Sequence, residues 1–233
     1  RRSSDGALTN GIVMGAIKID KDEPTITVIG NTILLANADN GKLTVYGTIN
    51  TTGTQNAPIM GNGSGHSENT VITIKEGAKI IADADLGVAA IYHPQDGTLN
   101  IEGGEISGAT GIYMKAGVLN MTGGVVKGSG EAVDYTYSGN GYTSTGDAIV
   151  LDACDYPGGA PAAEIKNGKV ASENGQPVSC YLHEDSPDIE DKQFISGGSF
   201  SGDVSQYIED NYSGLATGDV EYPFLIGAYS DET

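Results

Sequence analysis

The feature that most constrains this chain is a short motif that returns along most of its length. An alternating apolar pair is followed by a glycine-containing bend and a further apolar residue, as in Leu-Asn-Ile-Glu-Gly-Gly-Glu-Ile at 99–106. Other copies lie at 119–126, 163–170 and 194–200, and looser ones at 26–33, 43–49 and 72–80. Such a repeat indicates a fold of stacked similar units, each of which buries its apolar side against its neighbours.

The central apolar residue of each copy gives seven anchor positions. They are Val28, Val45, Ile74, Ile101, Met121, Ile165 and Ile195. Their spacing varies from 17 to 44 residues, which is typical of a parallel β-helix, because its turns vary in length while its strands stay aligned. The alternation predicts strands with one buried face, and glycine permits the sharp bend between consecutive strands.

A second recurring strand supports this interpretation. It lies at 90–92, 111–113 and 148–150, with weaker members at 58–60 and 177–179. In the copy that contains Met121, about 17 extra residues, 131–147, precede this strand. The sequence therefore predicts stacked coils that share their strands, with one long insertion on a flank.

We predict a single domain in three parts. Residues 1–24 form an N-terminal cap or first rung, residues 25–200 form the β-helix coils, and residues 201–233 form a C-terminal cap. Within the cap, Val204, Tyr207 and Ile208 have helical spacing, which predicts a short helix over 203–214. A closing strand is expected at 222–226.

Charge excludes several classes of partner. The chain has 31 acidic and 12 basic residues in 233, a net charge of −19. Nucleic-acid binders need clustered Lys and Arg, and so do proteins that bind anionic membrane surfaces. No apolar run reaches the roughly 18 residues needed for a transmembrane helix. The chain begins Arg-Arg-Ser-Ser without Met, and we interpret it as a monomeric fragment of a larger exported protein.

Two motifs carry a resemblance to known proteins. Leu-Asn-Ile-Glu-Gly-Gly-Glu-Ile-Ser-Gly at 99–108 and Ile-Ser-Gly-Gly-Ser-Phe-Ser-Gly-Asp-Val at 195–204 resemble motifs of large surface proteins of gut-dwelling Gram-positive bacteria. Those proteins resemble the pectate-lyase-like right-handed β-helix superfamily, and residues 196–218 are similar to a closing element of such β-helices. The resemblance covers about residues 25–218.

The resemblance implies a fold and a setting. The fold is all-β: a single-stranded right-handed parallel β-helix (solenoid) with a short C-terminal capping helix. The setting is the extracellular bacterial cell surface, where such proteins are adhesins or ligand-binding modules. The expected function is therefore non-catalytic binding of a host or environmental ligand through flank loops.

Enzymes of the superfamily cleave acidic polysaccharides, so catalysis is the main alternative. Pectate lyases resemble one another in using calcium-binding carboxylates with an Arg base, whereas the only arginines here are Arg1 and Arg2. The Asp-Asp pair and the Arg-Ile-Lys triplet typical of polygalacturonases do not occur. Asp83 with Asp85, and Asp152 with Asp155, could form glycosidase-type pairs, but chance pairs are expected among so many acids. We predict no catalytic residue; a lyase or glycosidase is one alternative, and a structural spacer of a cell-wall protein is another.

The insertion is the best candidate for ligand binding, because it combines tyrosines with small hydrogen-bonding residues, as adaptable recognition surfaces do. Its candidate residues, with one tyrosine from a nearby loop, are Asp134, Tyr135, Tyr137, Asn140, Tyr142, Asp147 and Tyr156. Tyr92 and Tyr113 occupy equivalent strand positions and should point outward and stack. They form either a second candidate surface or an ordinary cross-strand stack. The expected ligand is a glycan or a secreted host protein such as an immunoglobulin or a mucin.

No cofactor is predicted, although calcium is an open possibility. Asp152 and Asp155 are its weak candidates, since neither EF-hand spacing nor a calcium-binding nonapeptide repeat supports a site. The two cysteines, Cys154 and Cys180, lie in or near the second strand of consecutive copies. They could form a disulfide between neighbouring rungs or remain two small buried residues.

Overall fold

The computed structural model describes residues 42–228, apart from Asn62, residues 64–67, Asn140 and Asp185, together with the backbone of four short strands that precede Lys42. The fold is all-β with parallel sheets, as predicted. Its strands are β1 (Gly11–Ile12), β2 (Ala16–Ile19), β3 (Thr25–Thr27), β4 (Ile33–Leu34), β5 (Lys42–Val45), β6 (Thr48–Asn50), β7 (Ile59–Met60), β8 (Thr70–Ile74), β9 (Lys79–Ile81), β10 (Ala89–His93), β11 (Gly97–Ile101), β12 (Glu105–Gly108), β13 (Thr110–Met114), β14 (Val118–Gly128), β15 (Ile149–Ala153), β16 (Ala162–Ser172), β17 (Val178–Leu182), β18 (Gly198–Phe200), β19 (Tyr212–Ala216) and β20 (Phe224–Ala228).

Two sheets hold these strands. The smaller sheet has seven parallel strands in the order β1-β4-β7-β10-β13-β15-β17. The larger sheet has 13 strands in two ladders. The first ladder is β2-β5-β8-β11 and the second is β3-β6-β9-β12; both continue into the long strands β14 and β16. From β1 to β17 the chain visits the smaller sheet, the first ladder and the second ladder in that order.

The anchor residues are aligned in the first ladder. Val45, Ile74, Ile101, Met121 and Ile165 are paired in succession, and Ile195 adds a single bridge to Ile165. All six side chains are fully buried. The seventh predicted anchor, Val28, lies outside the described residues, and the position aligned with Val45 is Ile19.

The second recurring strand is confirmed as the smaller sheet. Ile59, Ile91, Ile112, Ile149 and Val178 are aligned across five strands, and all are buried. Buried side chains from both sheets form one hydrophobic core cluster. Alternation therefore directs one side of every strand to a shared interior and leaves the other side to face outward.

Glycine is required where the first ladder bends into the second. Gly104 and Gly124 have φ of +79° and +82°. A Cβ on either would lie 2.7 Å from a carbonyl oxygen of the preceding repeat, that of Ala78 or Gly103. The Gly-Gly pairs of the motif thus allow both the bend and the close approach of consecutive repeats.

The C-terminal cap differs from the prediction. The helical element is a single 3-10 turn, Ser205–Tyr207, after which Ile208 is extended and bridges to Ile195. The amide of Glu209 donates to the carbonyl oxygen of Ile195 at 2.9 Å. The predicted helix over 203–214 is therefore wrong: one turn already buries Val204 and Tyr207, and the next residues pair with the end of the first ladder. The strands β19 and β20 then form an antiparallel hairpin on β18.

Candidate functional site

The candidate site is built on the outward side of the smaller sheet. Tyr92 in β10 and Tyr113 in β13 are paired in register, with ring centroids 6.4 Å apart. Every residue of β10, β13 and β15 is buried. Strands that are buried on both faces need a layer of chain over their outward side.

The predicted insertion supplies that layer, and we call residues 131–147 the cover segment. The ring of Tyr142 packs on Tyr92 and Tyr113, with centroids 5.1 and 5.4 Å away. The amide of Ala89 donates to the Tyr142 hydroxyl at 3.0 Å, and the Tyr92 hydroxyl donates to the carbonyl oxygen of Gly141 at 3.1 Å. Tyr92 is 6% exposed and Tyr113 is fully buried. The prediction that these two form an open contact surface is therefore wrong, because the cover segment lies on them.

A buried ion pair lies beneath the cover segment. The ammonium nitrogen of Lys115 is 3.5 Å from a carboxylate oxygen of Asp152, and neither side chain is exposed. The hydroxyls of Tyr113 and Tyr135 donate to the two carboxylate oxygens of Asp152 at 2.9 and 2.8 Å. Lys115 also donates to the carbonyl oxygen of Ser138. The carboxylate is thus compensated by one cation and two hydroxyls, and the cation ties the cover segment to the sheet.

Burial governs the ionisation of these phenols. Desolvation, followed by the charge and hydrogen bond of Asp152, raises the pKa of Tyr113 far above its ordinary range. Desolvation and the same hydrogen bond raise the pKa of Tyr135. Both phenols therefore remain neutral donors near neutral pH, which suits them to solvating the Asp152 carboxylate.

Asp147, predicted as a ligand-binding residue, is structural. It is 3% exposed and accepts hydrogen bonds from the Thr145 hydroxyl, the Tyr181 hydroxyl and the Gln176 amide at 2.6, 2.8 and 2.7 Å. Desolvation and this carboxylate raise the pKa of Tyr181 to about 12. The prediction for Asp147 is wrong because its oxygens already have partners at the C-terminal end of the cover segment.

An aromatic pair lies at the outer surface of the cover segment, formed by exposed Tyr137 and by half-buried His183, which follows β17. Tyr137 is 37% exposed and stacks on His183, with ring centroids 3.7 Å apart and an angle of 28° between the planes. The ammonium nitrogen of Lys115 lies 5.6 Å from the centroid of Tyr137 and 5.0 Å from that of Tyr156. We call Tyr137 and His183 the aromatic platform; the Lys115 ammonium is within cation–π distance of the Tyr137 ring.

The remaining predicted residues have varied positions. Tyr135 stacks on Tyr181, with centroids 4.2 Å apart and planes at 5°, and Tyr156 places its hydroxyl 3.2 Å from that of Tyr92. Asp134 is exposed at the start of the segment, and Asn140 lies outside the described residues. Only part of the predicted set therefore faces a potential ligand.

The calcium candidates do not converge. The Asp152 carboxylate already pairs with Lys115 and accepts hydrogen bonds from two tyrosine hydroxyls, while Asp155 is exposed. Within the part of the chain that the structure describes, no three His, Cys, Asp or Glu side chains form a group suited to a metal ion.

Of the two possibilities for Cys154 and Cys180, the structure has two unpaired cysteines. The register aligns Cys180 with Leu151, and Ala153 with Leu182, so Cys154 and Cys180 are three residues out of step on neighbouring strands. Three residues along a strand span roughly 10 Å, beyond the Cα separation that a disulfide tolerates. Both are free thiols, and burial raises the pKa of each to about 11.

Sequence reasoning missed Lys115, Tyr181 and His183. The proximity of Lys115 to Asp152 could have been inferred. Lys115 lies two residues after Tyr113 and so faces outward, and Asp152 follows Leu151, which is aligned with Met114. It also missed His93 and Gln95, which are buried and have ring or amide atoms without partners. The His93 Nδ1 lies 3.1 Å from the carbonyl oxygen of Ala116, and desolvation lowers its pKa to about 4.

Comparisons with known proteins leave the site to be interpreted from its own geometry. The chain matches no protein-family model, no curated protein and no solved structure. Over the described residues, no helix has the length and apolar character needed to cross a membrane.

Proposed function

We propose that this chain is a single-stranded right-handed parallel β-helix domain. The support is the fixed order in which the chain visits the smaller sheet and the two ladders, with parallel register throughout. A right-handed connection is also the strong preference for parallel strands. The resemblance of the motifs at 99–108 and 195–204 agrees with this proposal.

We further propose that the domain is a non-catalytic binding or adhesion module. Its setting would be the extracellular surface of a Gram-positive gut bacterium, and its ligand a glycan or a secreted host protein such as a mucin or an immunoglobulin. The observation that carries this proposal is the aromatic platform, where an exposed Tyr137 stacks on His183 above the buried Lys115. A ring held in place before binding loses little conformational freedom on contact with a ligand.

A structural spacer is the second candidate, and one observation favours it. The hydroxyls of Tyr92, Tyr113 and Tyr135 all have partners within the chain. The cover segment could therefore exist only to complete the packing of the smaller sheet. The two candidates differ in whether anything outside the chain contacts the platform.

A binding screen separates them. The purified domain is tested on a glycan array and on a panel of mucins and immunoglobulins, with and without EDTA. We expect saturable binding of at least one ligand. The double variant Tyr137→Ala with His183→Ala should abolish that binding, whereas the control Thr136→Ala, at an exposed residue of the same segment, should retain it. If the folded domain binds nothing on the panel, the result favours the spacer. Binding that is lost only when EDTA is added would indicate a calcium-dependent site elsewhere.

A further inference from the structure

The two sheets end differently at the C-terminal side of the domain. In the smaller sheet, the edge strand β17 is capped, because the amide of Cys180 donates to the Tyr207 hydroxyl at 3.2 Å. The first ladder ends where Ile195 bridges to Ile208. The second ladder ends in the hairpin, and among the described strands β19 pairs with β20 alone. One edge of β19 therefore has no partner strand among the described residues, and of its backbone amides only that of Tyr212 donates to a nearby carbonyl oxygen outside the hairpin, that of Glu209 at 3.2 Å.

The composition of β19 does not protect this edge. Its sequence, Tyr-Ser-Gly-Leu-Ala, contains no charge and no proline, whereas natural edge strands usually carry such features to prevent pairing with other chains. Leu215 is 58% exposed and Leu225, aligned with it in β20, is 40% exposed. An apolar cross-strand pair thus lies on the solvent side beside the open edge.

Acidic residues flank the edge strand in the sequence. No Lys, Arg or His follows Lys192 in the sequence. Glu209 and Asp210 lie three and two residues before β19, and Asp219 and Glu221 lie in the loop that connects it to β20. Glu221 pairs with Lys127 at 2.5 Å, and the Lys169 ammonium lies 4.9 Å from the centroid of the Tyr222 ring. Asp210 and Asp219 are exposed and have no ion pair among the described residues. One exposed acid without an ion pair therefore lies near each end of an uncharged strand.

We propose that β19 is a docking edge for an extended segment of another protein, one with alternating apolar side chains and with Lys or Arg at its ends. Main-chain hydrogen bonds to β19 would align the segment, and its apolar side chains would cover Leu215 and Leu225. The flanking cations would meet the acids at the two ends of the strand. A second copy of this chain fits less well, because it would bring the same acids and a net charge of −19.

The test uses a labelled peptide as the probe. The peptide Lys-Lys-Val-Thr-Val-Thr-Val-Lys-Lys is titrated with the full chain and binding is measured by fluorescence anisotropy, beside a peptide with Glu in place of every Lys. We expect saturable binding of the Lys-flanked peptide that weakens at high salt, and hydrogen-exchange protection of 212–216. At least tenfold weaker binding is expected for the Glu-flanked peptide.

A matched pair of variants locates the contact. Leu215→Lys should weaken binding of the Lys-flanked peptide at least tenfold, whereas Leu86→Lys, at a turn residue that is 43% exposed, should leave it unchanged. Both substitutions are at exposed positions, and circular dichroism checks that both variants fold. Equal affinity for the two peptides, no binding of either, or equal effects of the two variants would overturn the proposal. Self-association of the chain with protection of 212–216 would overturn it in favour of a second copy.

Discussion

The outward side of the smaller sheet and the outward side of the first ladder show what one insertion can change. Both arise from the same strand alternation. On the first ladder, Asn100, Asn120 and Glu164 are aligned and partly exposed, and the nearby pair Lys75–Glu102 is 30% and 45% exposed. On the smaller sheet, the pair Lys115–Asp152 is fully buried.

The difference shows that burial of the outward side chains depends on the cover segment rather than on the strands that carry them. Outward positions carry polar residues on both faces, because water would normally solvate them. Once the cover segment excludes water, those residues must satisfy one another, and the result is a network of one ion pair and several tyrosine hydroxyls. The same chemical groups therefore have large energetic consequences on one face and small ones on the other.

Breaking the two ion pairs should give the largest contrast. We expect Lys115→Met to lower the free energy of unfolding by about 3–5 kcal/mol, because it leaves the Asp152 carboxylate buried without its cation. Lys75→Met should cost about 0–1 kcal/mol, because water solvates the remaining Glu102. Urea unfolding measures both. Equal losses would show that the cover segment does not exclude water from the smaller sheet.

Acid should affect the smaller sheet through His93. Its pKa is about 4 in the folded chain against an ordinary value near 6.5, so the unfolded chain binds the proton more readily between these values. The stabilising effect is complete above pH 6.5 and is lost as the pH falls toward 4, a change of about 3 kcal/mol.

The variant His93→Gln tests this pH dependence. It should flatten the fall in unfolding free energy between pH 6.5 and 4, whereas Thr136→Ala, at an exposed residue without an ionisable side chain, should keep the slope. An unchanged slope in His93→Gln would mean that other groups cause the response to acid. Chemical denaturation at several pH values provides the comparison.

A smaller effect is expected from one hydroxyl of the cover segment. Tyr135→Phe removes the donor to Asp152 at 2.8 Å but keeps the ring that stacks on Tyr181. A hydrogen bond to a charged group contributes about 1.5–3 kcal/mol, and we expect a loss in that range by urea unfolding. No loss would indicate that water replaces the hydroxyl and that the segment opens readily.

The smallest effect is expected on the open ladder. Asn120 donates to the side-chain oxygen of Asn100 at 3.2 Å at a partly exposed position. We expect Asn120→Ala to cost about 0.5–1 kcal/mol, because water replaces most of the lost bond. A cost as large as that of Tyr135→Phe would remove the contrast between the two faces.

The sequence predicted the repeating part of the fold well because each strand carries its own evidence. Alternation at Leu99 and Ile101, repeated at Leu119 and Met121, is enough to align two strands. The C-terminal helix was not predictable on the same grounds. A spacing of three residues, as between Val204 and Tyr207, fits a 3-10 turn as well as an α-helix. Only the bridge from Ile208 to Ile195 distinguishes the two structures.

The candidate site was predictable in part. The outward orientation of Tyr92 and Tyr113 follows from alternation, but their burial depends on where a distant segment lies. The pairing of Lys115 with Asp152 can be inferred only once the register of β13 and β15 is known. These two strands are separated in the sequence by an interval that varies from repeat to repeat. The position of the cover segment over the sheet leaves no local signal, so the aromatic platform could be recognised only in the folded chain.

Tyrosine nitration with peptide mapping is the measurement that tests most directly whether the cover segment closes over the smaller sheet. The folded chain is treated with tetranitromethane and each tyrosine is scored by mass spectrometry. We expect Tyr137, which is 37% exposed, to be modified rapidly, and Tyr92 and Tyr113, at 6% and 0% exposure, to be protected until the chain unfolds. Modification of Tyr92 and Tyr113 as fast as that of Tyr137 would contradict the covered face.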